Sequence, residues 1–569
     1  MAHDLHTVDR SNNIRGHGRK FYTEDNILIY TLYISNIPET FSSDELKKYF
    51  DHFGKVETLT YKKKYKTAEG HRYRAIVKFL KSESASKTLR VRNHKVGNVV
   101  LEVRGADSWI QPHKKRLKPL LKIDDNDTEN FFILKLNDYC LFNIFSYLPF
   151  QDQVRMSILS DRFKKIFLLI YKNERHLKLN EENTSRMSLL EIYESVTTIG
   201  KFIETLEVDC RIRKFNRIYD FIFKYFPHLK ILHLENLNKK YCNSNKEISL
   251  SLKNITHLTI RNCNVTDEQA KKFVKLQKLE YLDLSDNEEL VGKYLHNLKK
   301  LNYLCLNNCE KIETSNLKPI LEKIPLKTLK VTGIRNADAI GSPFSNFVNL
   351  ELEEFHLTSY RPENTFLKKI PTFKNLKKIR LQLMQLEKDD IGLKDFLLSC
   401  VENKANVLEY LGLVSQHLQL SELNIDTIIQ LKNLKELEIN RLTNADCLFW
   451  TKLCSLEKLE FLNVYCDQEN FDENEFLSWI KKSKNIQKIR GKFGKKNIKI
   501  DFINSLIEIS KELAENNRKI KFEIIGLLIK EGDDTNVNIL TDTKYLTNRH
   551  IIRVILSDTI LEDDSNLNK

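Results

Sequence analysis

A chain of 569 residues with 41% hydrophobic and 10% aromatic content can build several cores, which excludes global disorder and sets an expectation of about three or four domains. Its formal charge of +15 is unevenly placed: residues 1–123 carry +12 and the remaining 446 carry +3, so a surface for a polyanion or an acidic partner is expected near the N-terminus. No apolar run approaches the ~18 residues of a membrane span, and with the polar start Met1-Ala-His-Asp-Leu-His no secretory leader is expected. The ten cysteines lack Cys-x-x-Cys pairs or nearby histidines, which argues against a disulfide framework or a metal site.

Residues 1–27 read as a flexible N-terminus. Leu32-Tyr33-Ile34-Ser35-Asn36-Ile37 alternates as a half-buried strand, with Tyr33 on the face opposite Leu32 and Ile34. Pro38 ends it, and Ser42-Ser43-Asp44-Glu45 before Leu46, Tyr49 and Phe50 reads as a capped amphipathic helix. His52-Phe53-Gly54-Lys55-Val56 turns into a second strand, Glu57–Tyr61, followed by a basic loop with Lys62, Lys63, Lys64 and Lys66. Arg72–Phe79 is a third strand, Ser82–Arg90 a second helix and Val99–Val103 a last strand. This β-α-β-β-α-β order resembles the RNA-recognition motif family, with boundaries at 28–108. The octamer station of that family reads Arg72-Tyr73-Arg74-Ala75-Ile76-Val77-Lys78-Phe79, so Arg74 and Ile76 stand where the family places stacking aromatics. Each base stack contributes about 1–3 kcal/mol, so much of the affinity for single strands is missing. The resemblance implies that Tyr33, Lys62, Lys63, Lys64, Arg72, Arg74, Lys78 and Phe79 contact RNA; the same sheet face used for protein binding is the alternative.

Residues 109–130 form a linker, basic in His113-Lys114-Lys115-Arg116-Leu117-Lys118 and acidic in Asp124-Asp125-Asn126-Asp127. The basic cluster is either a nuclear-import signal or an extension of the RNA surface, so nucleus, cytoplasm or both are expected. Leu136-Asn137-Asp138-Tyr139-Cys140-Leu141-Phe142-Asn143-Ile144-Phe145-Ser146-Tyr147-Leu148 follows, with Leu141, Ile144, Phe145 and Leu148 at helical spacing. Pro149 stops that helix, Asp152 is expected to cap the next, and Val154, Ile158, Phe163 and Ile166 continue an apolar face. Residues 131–172 resemble an F-box, although Asn137 and Tyr139 replace the usual Pro and Glu at its start. About forty residues make a marginal core, so a partner is expected to cover the stripe. In the F-box family that partner is the adaptor subunit of cullin–RING ubiquitin ligases, with Leu136, Leu141, Ile144, Phe145, Leu148 and Phe163 as its contacts. A helical hairpin that only caps the following repeats is the alternative.

From Ile203 onward an apolar-x-x-apolar-x-apolar unit recurs. Its middle residues are Leu206, Leu232, Leu258, Leu282, Leu304, Leu329, Phe355, Ile379, Leu411, Leu437, Leu462 and Ile489, at intervals of 22 to 32 residues. One short strand and its return segment cannot bury their own apolar face and must stack on neighbours. Residues 173–558 resemble a leucine-rich-repeat solenoid, or horseshoe, with 559–569 as a tail. Cys263 and Cys309 occupy its turn position, which implies packing rather than redox chemistry. Alternation sends Tyr281 and Asp283, Tyr303 and Asn307, Lys330, His356, Lys378 and Arg380, Tyr410, Glu438, and Phe461, Asn463 and Tyr465 to the open, concave side. Tyr281 and Tyr303 are expected side by side, and Tyr281, Tyr303, Tyr410 and Phe461 are the expected anchors for a protein target.

The expected architecture is thus multidomain α/β: a ferredoxin-like RNA-recognition fold, a small all-α F-box, then the solenoid. Together they resemble a non-catalytic receptor subunit of a ubiquitin ligase, possessing no cofactor and no glycine loop, zinc-protease or nucleophile-elbow motif. The partners implied are the ligase adaptor, a protein target on the concave face and single-stranded RNA, with no membrane. An RNA-binding adaptor or scaffold in mRNA export or metabolism, with a vestigial F-box, is the competing reading; an enzyme is a third.

Overall fold

The computed structural model describes residues 15–17, 20–23, 27–67, 70–96, 99–112, 124–126, 131–212, 224–237, 253–334, 351–359, 365–383, 391–418, 420–442, 447–466, 471–493, 497–515, 518, 520–525, 527–529 and 552–555. The chain divides into two compact units, Met1–Leu229 and Lys230–Lys569.

The first unit opens with a short hairpin of β1 (Arg15–His17) and β2 (Lys20–Tyr22). An antiparallel sheet follows in the order β4-β5-β3-β7-β6, built from β3 (Thr31–Pro38), β4 (Val56–Thr67), β5 (Gly70–Phe79), β6 (His94–Val96) and β7 (Val99–Gly105). Helices α1 (Ser43–Asp51) and α2 (Ser82–Arg90) complete the expected β-α-β-β-α-β order. The predicted capping box is present: Ser42 Oγ accepts from the Glu45 N–H, and Glu45 Oε2 accepts from the Ser42 N–H. Leu32, Ile34, Leu46, Phe50, Ala75, Val77 and Phe79 form the core between sheet and helices.

Three boundaries differ from the sequence reading. Lys62, Lys63 and Lys64 belong to strand β4 rather than a loop, because its backbone pairs with β5 as far as Thr67. Phe21, in the segment expected to be flexible, packs against the domain core, and its N–H donates to Ser86 Oγ. Past the expected end at residue 108, Gln111 is buried and clamps β3: its amide oxygen accepts from the N–H groups of Tyr30 and Thr31, while its Nε2 donates to the carbonyls of Thr31 and Ala106.

Helices α3 (Asp138–Tyr147), α4 (Phe150–Ser157) and α5 (Asp161–Glu174) come next. Asp152 lies in the first turn of α4 and does not cap it; the cap position is Pro149, with Ser160 capping α5. The first unit closes with β8 (His176–Leu179), α6 (Glu181–Thr184), α7 (Leu189–Ile199) and β9 (Thr205–Asp209), with β8 and β9 parallel and Leu177 beside Leu206.

In the second unit, thirteen of the described strands form one parallel sheet in chain order. They are β10 (Ile231–Glu235), β11 (His257–Arg261), β12 (Tyr281–Asp283), β13 (Tyr303–Cys305), β14 (Thr328–Val331), β15 (Glu354–Ser359), β16 (Lys378–Leu383), β17 (Tyr410–Leu418), β18 (Glu436–Leu442), β19 (Phe461–Cys466), β20 (Lys488–Phe493), β22 (Lys521–Ile525) and β24 (Ile552–Ile555). A separate pair, β21 (Asn497–Lys499) and β23 (Leu527–Ile529), lies beside it in sequence. The predicted middle residues stand in register from Leu232 through Leu258, Leu282, Leu304, Leu329 and Phe355 to Ile489, and the column continues through Phe522 and Ile552. The leading residues from Ile255 to Ile486 are buried with them.

At the end of each early strand one residue is left-handed: Asn236, Asn262, Asp286, Asn308 and Gly333, with φ between 48° and 73°. Asn and Asp tolerate this region best among residues with a side chain. The next residue turns inward. Asn287 is fully buried, donates to the carbonyls of Ile260, Leu284 and Ser285, and accepts from the N–H groups of Cys263 and Val265. Cys309 bonds the Leu284 carbonyl in the same way, so the cysteines at this station serve the turn, as expected.

Candidate functional sites

The open face of the first sheet carries the RNA-contacting candidates. Across β4, β5, β3 and β7 the register aligns Thr60, Ile76, Tyr33 and Arg104. The Arg104 guanidinium lies 4.5 Å from the centre of the Tyr33 ring and also reaches Asp107. A base can therefore meet Tyr33 only beside or in place of Arg104. Arg72 donates to Asn36, and Lys78 pairs with Glu57 at 2.8 Å. Arg74 lies on the same face, beside Lys62 of β4. Phe79 is a correction: it is fully buried in the core and offers no stacking surface. The side chains of Lys62, Lys63 and Lys64 fall outside the described residues.

The three-helix unit is held by polar clamps that the sequence reading missed. Arg162 on α5 donates to the carbonyls of Leu134 and Leu136 and to the Asp138 carboxylate, fixing the segment before α3. Asn137, where the family usually has Pro, caps α3 by accepting from the Cys140 N–H at 2.8 Å. Buried Gln153 donates to the carbonyls of Phe145 and Leu148 and accepts from the Tyr171 hydroxyl. Burial raises the Tyr171 phenol well above its ordinary value, so it stays a donor.

The expected adaptor contacts divide in two. Leu141, Phe145 and Phe163 are fully buried, with the Phe145 and Phe163 rings 5.4 Å apart, and they form the unit's own core. Leu148 is partly buried, while Leu136 and Ile144 are exposed. Beside these two, Phe132, Tyr139 and Tyr147 are 72%, 73% and 89% exposed. The outward apolar surface is thus Phe132, Leu136, Tyr139, Ile144 and Tyr147, flanked by the predicted stripe rather than made by it.

On the open face of the second unit, Tyr281 and Tyr303 stack as expected, centroids 4.0 Å apart and planes 12° from parallel. His257 extends the stack at 5.4 Å, and the Lys330 ammonium closes it 5.6 Å from the Tyr303 ring. Asp283 is a correction: it is fully buried, held by Arg261 at 2.6 Å and by the Ser285 N–H.

Further along, Arg380 of β16 reaches Glu438 of β18 across the whole width of β17, with Nε–Oε2 3.0 Å and Nη2–Oε1 3.2 Å. Gly412 makes this crossing possible. A Cβ there would lie 2.7 Å from the Tyr410 hydroxyl and 2.8 Å from Arg380 Cγ. The Tyr410 hydroxyl donates to Glu438, so its polar end is already used by the fold. Its ring, with Phe461, Lys378, Glu436 and Asn463, lines a cavity of about 190 Å³.

Glu354 sits between Lys330 and His356, 2.8 Å from each. Burial alone would raise its carboxyl, but hydrogen bonds to His356 and Lys330 hold it down at about 2. Burial also lowers the His356 imidazole. Because the folded value lies below the ordinary 4.5, the stabilisation from Glu354 is complete above pH 4.5 and is lost as pH falls towards 2. Glu354→Gln is expected to lower the thermal midpoint at pH 7. The gap to the parent protein should narrow steadily below pH 4.5 in melts across that range; a constant gap would contradict the assignment.

Among the described residues no helix is long and apolar enough to cross a membrane. Residues 32–102 match the family model described as RNA recognition motif, and residues 133–174 match the one described as F-box domain. Among solved structures the chain is similar to an internalin from Listeria monocytogenes, at 14% identity and a TM-score of 0.28, over 63% of this chain and 88% of that one. No curated protein matches the chain.

Proposed function

We propose that this chain, which carries an RNA recognition motif, an F-box and a leucine-rich-repeat solenoid, is the substrate-recognition subunit of an SCF-type cullin–RING ubiquitin ligase. The observation that carries the reading is the outward surface of Phe132, Leu136, Tyr139, Ile144 and Tyr147 on the matched F-box. Apolar and aromatic side chains left exposed along one short stretch, on a unit whose core is otherwise complete, mark an interface. The chain itself is a non-catalytic receptor in this reading: it raises the effective concentration of a target lysine near the charged enzyme.

Ile144→Glu with Tyr147→Glu is expected to abolish capture of the ligase adaptor, since burying unpaired charge there costs several kcal/mol. Both side chains are exposed, so the fold should survive. Undiminished co-precipitation of the adaptor by the folded double variant would refute the interface.

The target is held on the open face of the solenoid, with the Tyr281–Tyr303 stack as an anchor. Stacked tyrosines bury area with little loss of rotamer freedom. Replacing both by Ser should remove specific partners from proximity labelling while adaptor capture and melting stay unchanged. Unaltered labelling would exclude the stack from target capture.

The first domain binds single-stranded RNA weakly and in a salt-sensitive way. With the Tyr33 ring already covered by Arg104, phosphate contacts are the main source of affinity. Arg74→Ala should weaken binding across all sequences alike and flatten the salt dependence, and Tyr33→Ala should weaken it further. Titration of a random single-stranded pool at low salt measures both; no binding at all would make the domain a protein-interaction module.

A further inference from the structure

Several cations on the open face of the second unit have an acidic partner. Arg261 holds Asp283, Lys330 holds Glu354 and Arg380 holds Glu438. Strand β20 departs from this pattern. Its three open-face residues, Lys488, Arg490 and Lys492, are all cationic, and Lys521 begins the adjoining strand β22. Glu523 stands opposite Arg490 in register, yet its carboxylate is taken by Lys488 at 3.0 Å and Lys521 at 3.2 Å. Among the described residues neither Arg490 nor Lys492 has a carboxylate partner, and the buried Nε of Arg490 donates to nothing. On β19 the register partner of Arg490 is Asn463, whose buried Oδ1 likewise has no partner.

The cations along one strand repel each other. An anion laid along β20 offsets that repulsion. We propose that β20 and the start of β22 form a docking strip for an extended, Asp/Glu-rich segment of a protein target. This deepens the reading of the open face as the target-holding surface and rests on it.

The spacing selects that partner. Alternate residues of a strand stand about 6.6–6.8 Å apart, so the three cations are spread over about 13 Å instead of converging on a point. A peptide in extended conformation with carboxylates at every second residue has the same repeat and meets all three. A single phosphate group meets one or two. Single-stranded nucleic acid needs free ring faces for its bases. Here the Phe461 ring is already covered by the Lys488 ammonium, 5.1 Å from its centre.

The test is fluorescence anisotropy of the full chain with a labelled peptide alternating Glu and Ser. The comparisons are its Gln/Ser analogue, a Gln/Ser peptide bearing one phosphoserine, and oligo(U). The Glu peptide should bind at least about tenfold more tightly than the Gln peptide. Arg490→Gln with Lys492→Gln should erase that difference while melting and adaptor capture stay as in the parent. Should the double variant melt early, Lys492→Gln alone should still remove a measurable part of the preference. Equal binding of the Glu and Gln peptides overturns the proposal. So does full retention by a folded variant, or a stronger, variant-sensitive preference for the phosphopeptide or oligo(U). Adaptor capture is read separately, so failure of the strip leaves the ligase reading standing, and loss of adaptor capture leaves the strip standing.

Discussion

No repeat of the solenoid can cover its own apolar residues, and the rest of the second unit follows from that constraint. The column from Leu232 to Ile489 is continuous because each strand's inward residues are covered by those of the next. With the register fixed, the chain must leave each strand by a sharp turn, and that is where the left-handed residues Asn262, Asp286 and Asn308 fall. The Asn287 amide then bonds backbone groups of its own repeat and of the one before it. Apolar stacking sets the register, and the polar turn residues allow no slip. The open face holds the side chains that these two requirements leave over, so it is the part free to serve a partner.

The column was legible in the sequence because its period is long and its residues are apolar. It was read short at its C-terminal end, where β22 and β24 lack the leading apolar residue, having Lys519 and Arg549 three positions before their middle residues. The cationic strip on β20 was missed similarly: Gly491 breaks the closing position, and the open-face register was not carried across it.

In the F-box region, helical periodicity identified the apolar stripe but could not say what covers it. Leu141, Phe145 and Phe163 are covered by neighbouring helices of the same small unit. Tyr139 and Tyr147, which a stripe count treats as half-polar, are the residues left outside. The lysine run of β4 was misread for the opposite reason: with no apolar alternation it resembles a loop, yet its backbone hydrogen bonds are supplied by β5. Arg162 and Gln153 had no signal in one sequence, because each is held mainly by two main-chain carbonyls, and a backbone carbonyl is the same at every position.

The charges of the open face fall into two kinds with different consequences for recognition. Arg380 and Glu438 have already given up water to each other, over a glycine that leaves them room, and any ligand that competes for either must first break a bidentate pair. Such pairs shape the surface and add little affinity. Arg490 and Lys492 have no pair to break, so an anion arriving there gains its full attraction and relieves the repulsion along β20. A surface with both kinds discriminates well: the paired region rejects most charged ligands, and the unpaired strand accepts one sign of charge at one spacing. The stacked tyrosines at β12 and β13 occupy a different part of the same sheet, where ring area rather than charge is presented.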